Sequence, residues 1–213
     1  MTLPKDPRRL ACAAAILTAL LILQSCAALS EMASALAGLK HLQFKIGGVN
    51  DFRLAGIALS GKTKLSQFSA ADAVKLFQAF SSKELTADFV LEVLAVNPND
   101  GTSGTTRTTS TLTGLESRLL IDGKPTVTGN IAEPVEIPGT GQASTIPIRL
   151  SLDLIEFFGD KRYEDLIDLA LAVGGGAGGD PSRLALDAQP RVTTPFGTLT
   201  YPGRITIVSA EFR

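Results

Sequence analysis

Few of the side chains that carry acid–base, metal or redox chemistry occur in this sequence. Its 213 residues include one histidine (His41), two cysteines (Cys12 and Cys26), two tyrosines and no tryptophan. Histidine is the commonest acid–base group and metal ligand near neutral pH, so one histidine leaves little material for a Ser-His-Asp triad or a zinc site. The sequence therefore predicts a protein that is not an enzyme, with no catalytic residues, no metal and no cofactor.

The charges are nearly balanced, with no excess of either sign. There are 20 Lys and Arg residues against 21 Asp and Glu, which gives a formal net charge of −1. Nucleic-acid binding needs a concentrated basic face, so we expect no nucleic-acid partner. A hydrophobic content of 45% is ordinary for a globular protein and argues against disorder throughout the chain.

The first 25 residues have the organisation of an export signal. Lys5, Arg8 and Arg9 make the N-terminus basic, and the apolar stretch LACAAAILTALLIL follows at positions 10–23. This stretch is shorter than the roughly 20 residues that a membrane-spanning helix needs. We therefore predict a signal peptide over residues 1–25.

The leader ends in LQSC, which resembles the lipobox of bacterial lipoproteins. Leu23 is the aliphatic residue three positions before Cys26, and Ser25 is the small residue directly before it. The resemblance implies cleavage between Ser25 and Cys26, with acyl chains such as palmitate on Cys26. The alternatives are an uncleaved signal anchor or a buried thiol. If the leader is removed, Cys12 is removed with it, and Cys26 then has no intramolecular disulfide partner.

Lipidation of Cys26 would place the protein on a membrane surface. Two or three acyl chains hold a protein stably, whereas one chain binds only marginally. Ala27 follows the cysteine, whereas the familiar signal for retention in the inner membrane is an aspartate there. We therefore expect a protein anchored in the bacterial cell envelope, at the outer membrane and facing the periplasm.

A tether over residues 26–41 leads into a single domain over residues 42–213. The domain shows short apolar runs separated by Gly and Pro turns at intervals of roughly ten residues, which is typical of a β-sandwich. Turns are predicted at Gly47-Gly48, Gly61 and Asp122-Gly123. The most apolar run, at positions 89–96, predicts a central strand that ends before Pro98. The end of the Thr-rich stretch at 101–114 is predicted to pair as an edge strand.

Two helical segments are predicted to interrupt the strands. The first runs from about 70 to 82, where Ser69 and Asp72 have the spacing of a capping box. The second runs from about 153 to 173 and ends at Gly174. The predicted fold class is mainly β: an immunoglobulin- or fibronectin-III-like β-sandwich of seven or eight strands with two helical insertions, preceded by a signal peptide.

VLAVNPND resembles the strand end of the late embryogenesis abundant type 2 proteins, which include the WHy domain. The resemblance continues through SRLLIDGKPTVTGNIAEPVEIPGTGQASTIPIRLSL and covers residues 42–213, most clearly 85–152. It implies an immunoglobulin-like sandwich, no catalytic residues and a link to stress responses. Asn97, Pro98 and Asn99 are its motif residues. Because Asn side chains mimic turn hydrogen bonds, we expect both asparagines to bond backbone groups at the strand end.

Three further patterns have an ordinary structural interpretation. GGGAGG at 174–179 matches a dinucleotide-binding spacing, but it follows a helix and precedes a strand, so a flexible linker is favoured. His41 beside the tether is interpreted as a surface or turn residue. Five carboxylates are interpreted as a solvated helix face, and four phenylalanines as core packing rather than an acyl-chain pocket. The carboxylates are Glu156, Asp160, Glu164, Asp165 and Asp168, and the phenylalanines are Phe77, Phe80, Phe157 and Phe158.

These observations favour a membrane-anchored, non-catalytic envelope lipoprotein whose sandwich is a binding or stress-protective module. Its partners would be the membrane, through the acyl chains on Cys26, and an envelope protein or a lipid. The alternative is a periplasmic carrier or chaperone for apolar ligands, with a cleft between the sandwich and the helices. A hydrolase is a distant third hypothesis, because the sequence lacks the residues for it.

Overall fold

The computed structural model describes residues 41–102, 107, 109–176, 180–194 and 197–213. In this part of the chain it has ten β-strands and three α-helices. The strands are β1 (Gln43–Leu54), β2 (Ile57–Ala58), β3 (Thr86–Val96), β4 (Ser110–Ile121), β5 (Lys124–Gly129), β6 (Val135–Ile137), β7 (Ala143–Asp153), β8 (Leu184–Thr194), β9 (Gly197–Thr200) and β10 (Ile205–Val208). The helices are α1 (Ala70–Ser81), α2 (Leu154–Phe158) and α3 (Tyr163–Gly174).

The strands form two antiparallel sheets. The first sheet has the order β2-β1-β3-β7. The second has the order β10-β8-β4-β5, with β6 added to β4 and β9 added to β8. The predicted class, a mainly β sandwich with helical insertions, is confirmed.

A single hydrophobic core lies between the sheets. In β3, alternate residues point into it, among them Leu91 and Val93, which are fully buried. From the second sheet, Leu115 and Leu119 of β4 do the same. Strict alternation of this kind places every second side chain of a strand on the core face.

The helices lie where β3 begins and β7 ends, which we call the helical end. Leu154 at the start of α2 donates its backbone N–H to Leu85 O at 3.0 Å. Lys124, after the β4–β5 turn, donates through Nζ to Phe157 O. At the opposite end, the C-terminal Arg213 exchanges two backbone hydrogen bonds with Phe44 of β1. At about 3.3 Å per residue, the 12-residue β1 separates the two ends by about 36 Å.

Local signals are confirmed at two places. The capping box begins α1, since Asp72 N donates to Ser69 Oγ at 3.1 Å and Ser69 N donates to Asp72 Oδ2 at 3.3 Å. Asp122 and Gly123 form the two-residue turn between β4 and β5, with φ of 52° and 77°. Positive φ at both central positions is the requirement of a tight hairpin.

The prediction of a turn at Gly47-Gly48 is wrong, because β1 runs through these residues. The strand has register shifts against β3 between Ile46 and Gly48 and again between Asn50 and Arg53. A Cβ at Gly47 would lie 2.9 Å from Leu94 Cγ, so the missing side chain makes room for Leu94 on the outer face. The turn lies later, at Ala55 and Gly56, with φ of 48° and 77°.

Three other details of the predicted fold are corrected. The segment 153–173 forms two helices, α2 and α3, instead of one, and Arg162 is the N-cap residue at the start of α3. The end of the Thr-rich stretch is the start of β4, which is a central strand paired with β8 on one side and with β5 and β6 on the other. The described residues form ten strands instead of seven or eight. The strands β2, β6 and β9 are short, and their apolar patterns are too weak to predict them from the sequence.

Candidate functional site

The Asn-Pro-Asn segment lies at the end of β3, opposite the helical end. Asn97 is fully buried and Asn99 is 7% exposed, although both are polar. Asn97 Nδ2 donates to Ile137 O at 3.1 Å. Its Oδ1 accepts from the backbone N of Asn99 at 3.1 Å and from Asn99 Nδ2 at 2.9 Å. The side chain of Asn97 therefore bonds backbone groups at the strand end, as predicted, whereas the side chain of Asn99 donates to the side chain of Asn97.

Asn97 also connects the two sheets. Ile137 is the last residue of β6 in the second sheet, and Ser110 Oγ at the start of β4 lies 3.5 Å from Asn97 Nδ2. The backbone O of Asn97 accepts from Gly141 N at 3.2 Å, which holds the turn before β7. Asn97 directly follows β3 of the first sheet, and its fully buried amide has partners in the second, so it fixes the relative position of the sheets, because leaving such a group without partners is costly.

Four of the described carboxylates are surface groups with lowered pKa values. A hydrogen bond from Arg183 lowers the pKa of Asp122, and one from Arg162 lowers the pKa of Asp165. Hydrogen bonds from Thr102 lower the pKa of Asp100, and hydrogen bonds from Ser182 lower that of Asp180. These groups are ionised at neutral pH, whereas a general acid works best with a pKa near the working pH.

The five carboxylates between Glu156 and Asp168 do not converge on one site. Asp165 forms an exposed ion pair with Arg162 at 3.2 Å, within the first turn of α3. Across residues 41–102, 107, 109–176, 180–194 and 197–213, no three His, Cys, Asp or Glu side chains lie close enough to hold a metal ion. His41 is exposed at the first described position of the chain.

The four phenylalanines at the helical end have different environments. Phe158 is 4% exposed in the core, Phe80 and Phe157 are half-buried, and Phe77 is 59% exposed. Tyr163 of α3 packs edge-on against Phe77 and Phe80, at ring-centroid distances of 6.0 and 5.3 Å. Burial in this cluster, together with the charge of Glu164, raises the pKa of Tyr163.

The space between α3 and the sheets is almost filled. The described core contains a void of about 10 Å³ there, lined by side chains that include Phe52, Phe89 and Leu169. A void of this volume is about the size of one water molecule. It is far smaller than an acyl chain, so this space does not favour the carrier alternative.

The outer face of the first sheet carries a feature that the sequence pattern did not predict. A depression of about 510 Å³ is lined by Asp51, Arg53, Asp88 and Arg149 among others. A second, of about 370 Å³, adjoins it through Val90 and Arg149 and reaches the loop after β5. Among the described residues, none of the four charged groups forms an ion pair. Alternating polar residues in β3 and β7 were the available signal.

The outer face of the second sheet differs, because several of its charges form ion pairs. Glu116 of β4 accepts from Arg191 of β8 at 2.8 Å, and Asp187 of β8 pairs with Arg204 at 2.8 Å. Asp122 and Arg183 form a bidentate pair at the helical end of the same sheet. Arg118 of β4 is exposed on this face without an ion pair among the described residues, so what distinguishes the first sheet is that all four charged groups at its depression are unpaired.

The start of the glycine run is packed rather than free. A Cβ at Gly174 would lie 2.0 Å from Phe52 Cγ, and one at Gly175 would lie 2.3 Å from Lys62 O. Gly176 has φ of 67° and pairs with Ser60. The prediction of a flexible linker is therefore wrong for these three residues, and positions 177–179 lie outside the described residues.

The predicted lipidation site also lies outside the described residues. Ser25 and Cys26 belong to the segment 1–40, of which the structure describes nothing. Within the described part, no helix has the length and apolar content needed to cross a membrane.

Comparisons with known proteins identify no family for the chain. No protein-family model matches it, and no curated protein is significantly similar to it in sequence. Among solved structures, a protein from Archaeoglobus fulgidus is similar over 60% of this chain and 82% of its own length, with 11% identity and a TM-score of 0.32. With values this low, the function has to be argued from the residues themselves.

Proposed function

We propose that this chain is a membrane-anchored, non-catalytic lipoprotein of the bacterial cell envelope, with a β-sandwich that serves as a binding or stress-protective module. The observation that carries the proposal is LQSC, placed directly after a basic N-terminus and an apolar stretch at 10–23. Cys26 then becomes the first residue of the mature protein. The sandwich begins soon afterwards at Gln43, so the predicted tether holds it close to the membrane.

The chemistry of the described polar residues supports a role without catalysis. The buried polar side chains, Asn97, Asn99 and Ser117, hydrogen-bond within the fold. The carboxylates with shifted pKa values are all shifted downwards by arginines or by hydroxyl and backbone donors. Such groups stabilise structure and are poor proton donors near neutral pH.

The outer face of the first sheet is the surface that we propose for binding an envelope protein. Arg53 and Arg149 lie there with Asp88 beside a depression of about 510 Å³, and their charges are not neutralised by ion pairs with other described residues. Complementary charges steer encounters and select partners. The acyl anchor would add to this by raising the concentration of the domain near its neighbours on the membrane. A stress-protective role rests on the resemblance of the Asn-Pro-Asn strand end.

The anchor is tested by metabolic labelling with palmitate in the native host. Cys26→Ser should abolish both the label and the removal of the leader, whereas Cys12→Ser, a matched change inside the leader, should leave the mature protein labelled. Palmitate on the Cys26→Ser protein, or an unlabelled wild-type protein with an intact leader, would contradict the proposal.

The binding face is tested by photo-crosslinking in the native envelope. A benzophenone amino acid at Ser151, which lines the depression, should give a discrete protein adduct. The matched position is Thr206, which is exposed on β10 of the second sheet. Equal adducts at both positions, or none at Ser151, would rule out the first sheet as the binding face.

A further inference from the structure

The exposed side of α1 is unusual for a surface helix. Its exposed residues include no carboxylate, since the capping Asp72 is half-buried, and Lys75 is the one charged residue among them. Val74 is 57% exposed and Phe77 is 59% exposed, which makes them the two most exposed large apolar side chains in the described residues. The remaining exposed residues of the helix are small or uncharged: Ala70, Ala71, Gln78 and Ser81.

Lysines flank this apolar face in the sequence. The segment 60–84 contains Lys62, Lys64, Lys75 and Lys83 against two carboxylates, although the whole chain has slightly more acidic than basic residues. No described carboxylate forms an ion pair with any of these lysines. Asp72 is engaged in the capping box of α1. Of the acidic residues of α3, Glu164, Asp165 and Asp168, Asp165 is paired with Arg162.

The size of the apolar patch decides between kinds of partner. Val74 and Phe77 together expose about 200 Å² of apolar surface, from the usual sizes of such side chains. A stable protein interface buries about 800 Å² on each partner. A patch of about one quarter of that area, carried by a helix and flanked by lysines, is typical of a segment that lies in the interface of an anionic bilayer.

We propose that α1 is a peripheral membrane contact, with Val74 and Phe77 inserted among the lipids and the flanking lysines bound to anionic headgroups. The contact does not rest on acylation of Cys26, but it is compatible with it. The tether joins the domain about 36 Å from the helical end along β1. The stretch 27–41 would span about 50 Å when extended, so the anchored domain could lie with α1 on the bilayer.

The absence of tryptophan allows a direct test, because Phe77→Trp creates a chain with a single tryptophan. The full-length variant is reconstituted in vesicles of phosphatidylglycerol with brominated acyl chains, and in vesicles of phosphatidylcholine alone. We expect a blue shift and bromine quenching of the introduced indole in the anionic vesicles. Phe212→Trp, at the opposite end of β1, is the matched aromatic control and should not be quenched. Far-ultraviolet circular dichroism shows that each variant is folded.

Charge and anchor variants separate the outcomes. Lys75→Gln in the Phe77→Trp chain should weaken the vesicle partition about fivefold, because one basic residue near an anionic surface contributes about that factor. Cys26→Ser in the same chain should leave the quenching of the indole in place, so failure of the anchor would not be mistaken for failure of this contact.

Three results would overturn the proposal. The first is an indole in the Phe77→Trp chain that stays open to aqueous iodide on vesicle-bound protein. The second is equal quenching in the Phe77→Trp and Phe212→Trp chains. The third is protection of the indole in the Phe77→Trp chain by a protein instead of lipid.

Discussion

Replacement of Asn97 by alanine removes the amide that connects the two sheets. The variant loses the hydrogen bond to Ile137 O at 3.1 Å and the two hydrogen bonds from Asn99, at 3.1 and 2.9 Å. Each buried polar group left without a partner costs about 1–3 kcal/mol. Asn99 is 7% exposed and can recover part of its bonding to water, so we expect a total loss of about 3 kcal/mol.

Urea unfolding at pH 7 measures this loss as a shift of the midpoint at constant slope. Asn50→Ala is the matched control, because Asn50 is exposed on β1, and it should change the free energy of unfolding by less than about 0.5 kcal/mol. Asn97→Asp keeps the acceptor for Asn99 but cannot donate to Ile137, so it should also be destabilised. An Asn97→Ala protein within about 1 kcal/mol of the wild type would refute the argument that this amide fixes the sheets.

Three further predictions concern stability. Gly174→Ala should destabilise by about 2–3 kcal/mol, because its Cβ would lie 2.0 Å from Phe52 Cγ, whereas Gly203→Ala, with open space around it, should be neutral in the same urea titration. Phe89→Ala removes a buried ring stacked on Phe52 at 5.1 Å and should cost about 3–5 kcal/mol in thermal unfolding. Phe77→Ala should cost about 1 kcal/mol or less in the same measurement, because Phe77 is exposed. Similar costs for the two variants would contradict the exposure of Phe77. Arg183 lowers the pKa of Asp122 from 3.8, so this pair stabilises the fold above that pH and the stabilisation is lost on acidification. Asp122→Asn should therefore cost less than about 1 kcal/mol at pH 7, and its difference in stability from the wild type should shrink by pH 3. A difference that grows on acidification would count against the pair.

Features set by short sequence separations could be predicted. The capping box at Ser69 and Asp72 and the hairpin turn at Asp122 and Gly123 each depend on a few adjacent residues. The apolar run at 89–96 likewise indicated a central strand, and β3 is paired on both sides, with β1 and β7. These signals are local because the hydrogen bonds or side-chain directions involved repeat over one to four residues.

Features that depend on distant residues could not be predicted. Gly47 and Gly174 look like turn and linker residues in the sequence, but their missing side chains accommodate Leu94 and Phe52. Likewise, Arg191 and Arg149 are similar in sequence context, yet Arg191 is paired with Glu116 and Arg149 lines an open depression. Only the sheet register determines which charges meet, so the candidate binding face required the folded chain.

The exposure of Phe77 was missed for a related reason. Its helical spacing with Val74 and Phe80 is what an amphipathic helix shows toward a core. In the fold, Leu76 is the fully buried residue of α1, and the stripe is rotated so that Val74 and Phe77 face outward. The sequence period locates an apolar face, but the packing of α1 against Tyr163 decides how much of that face is covered.

The central claim is that Cys26 anchors a sandwich to the envelope membrane. It is tested most directly by the intact mass of the protein purified from the native membrane, followed by fragmentation of its N-terminal peptide. We expect a mature chain that begins at Cys26 and carries acyl chains on that residue. A chain that retains residues 1–25 and has a free Cys26 thiol would contradict it.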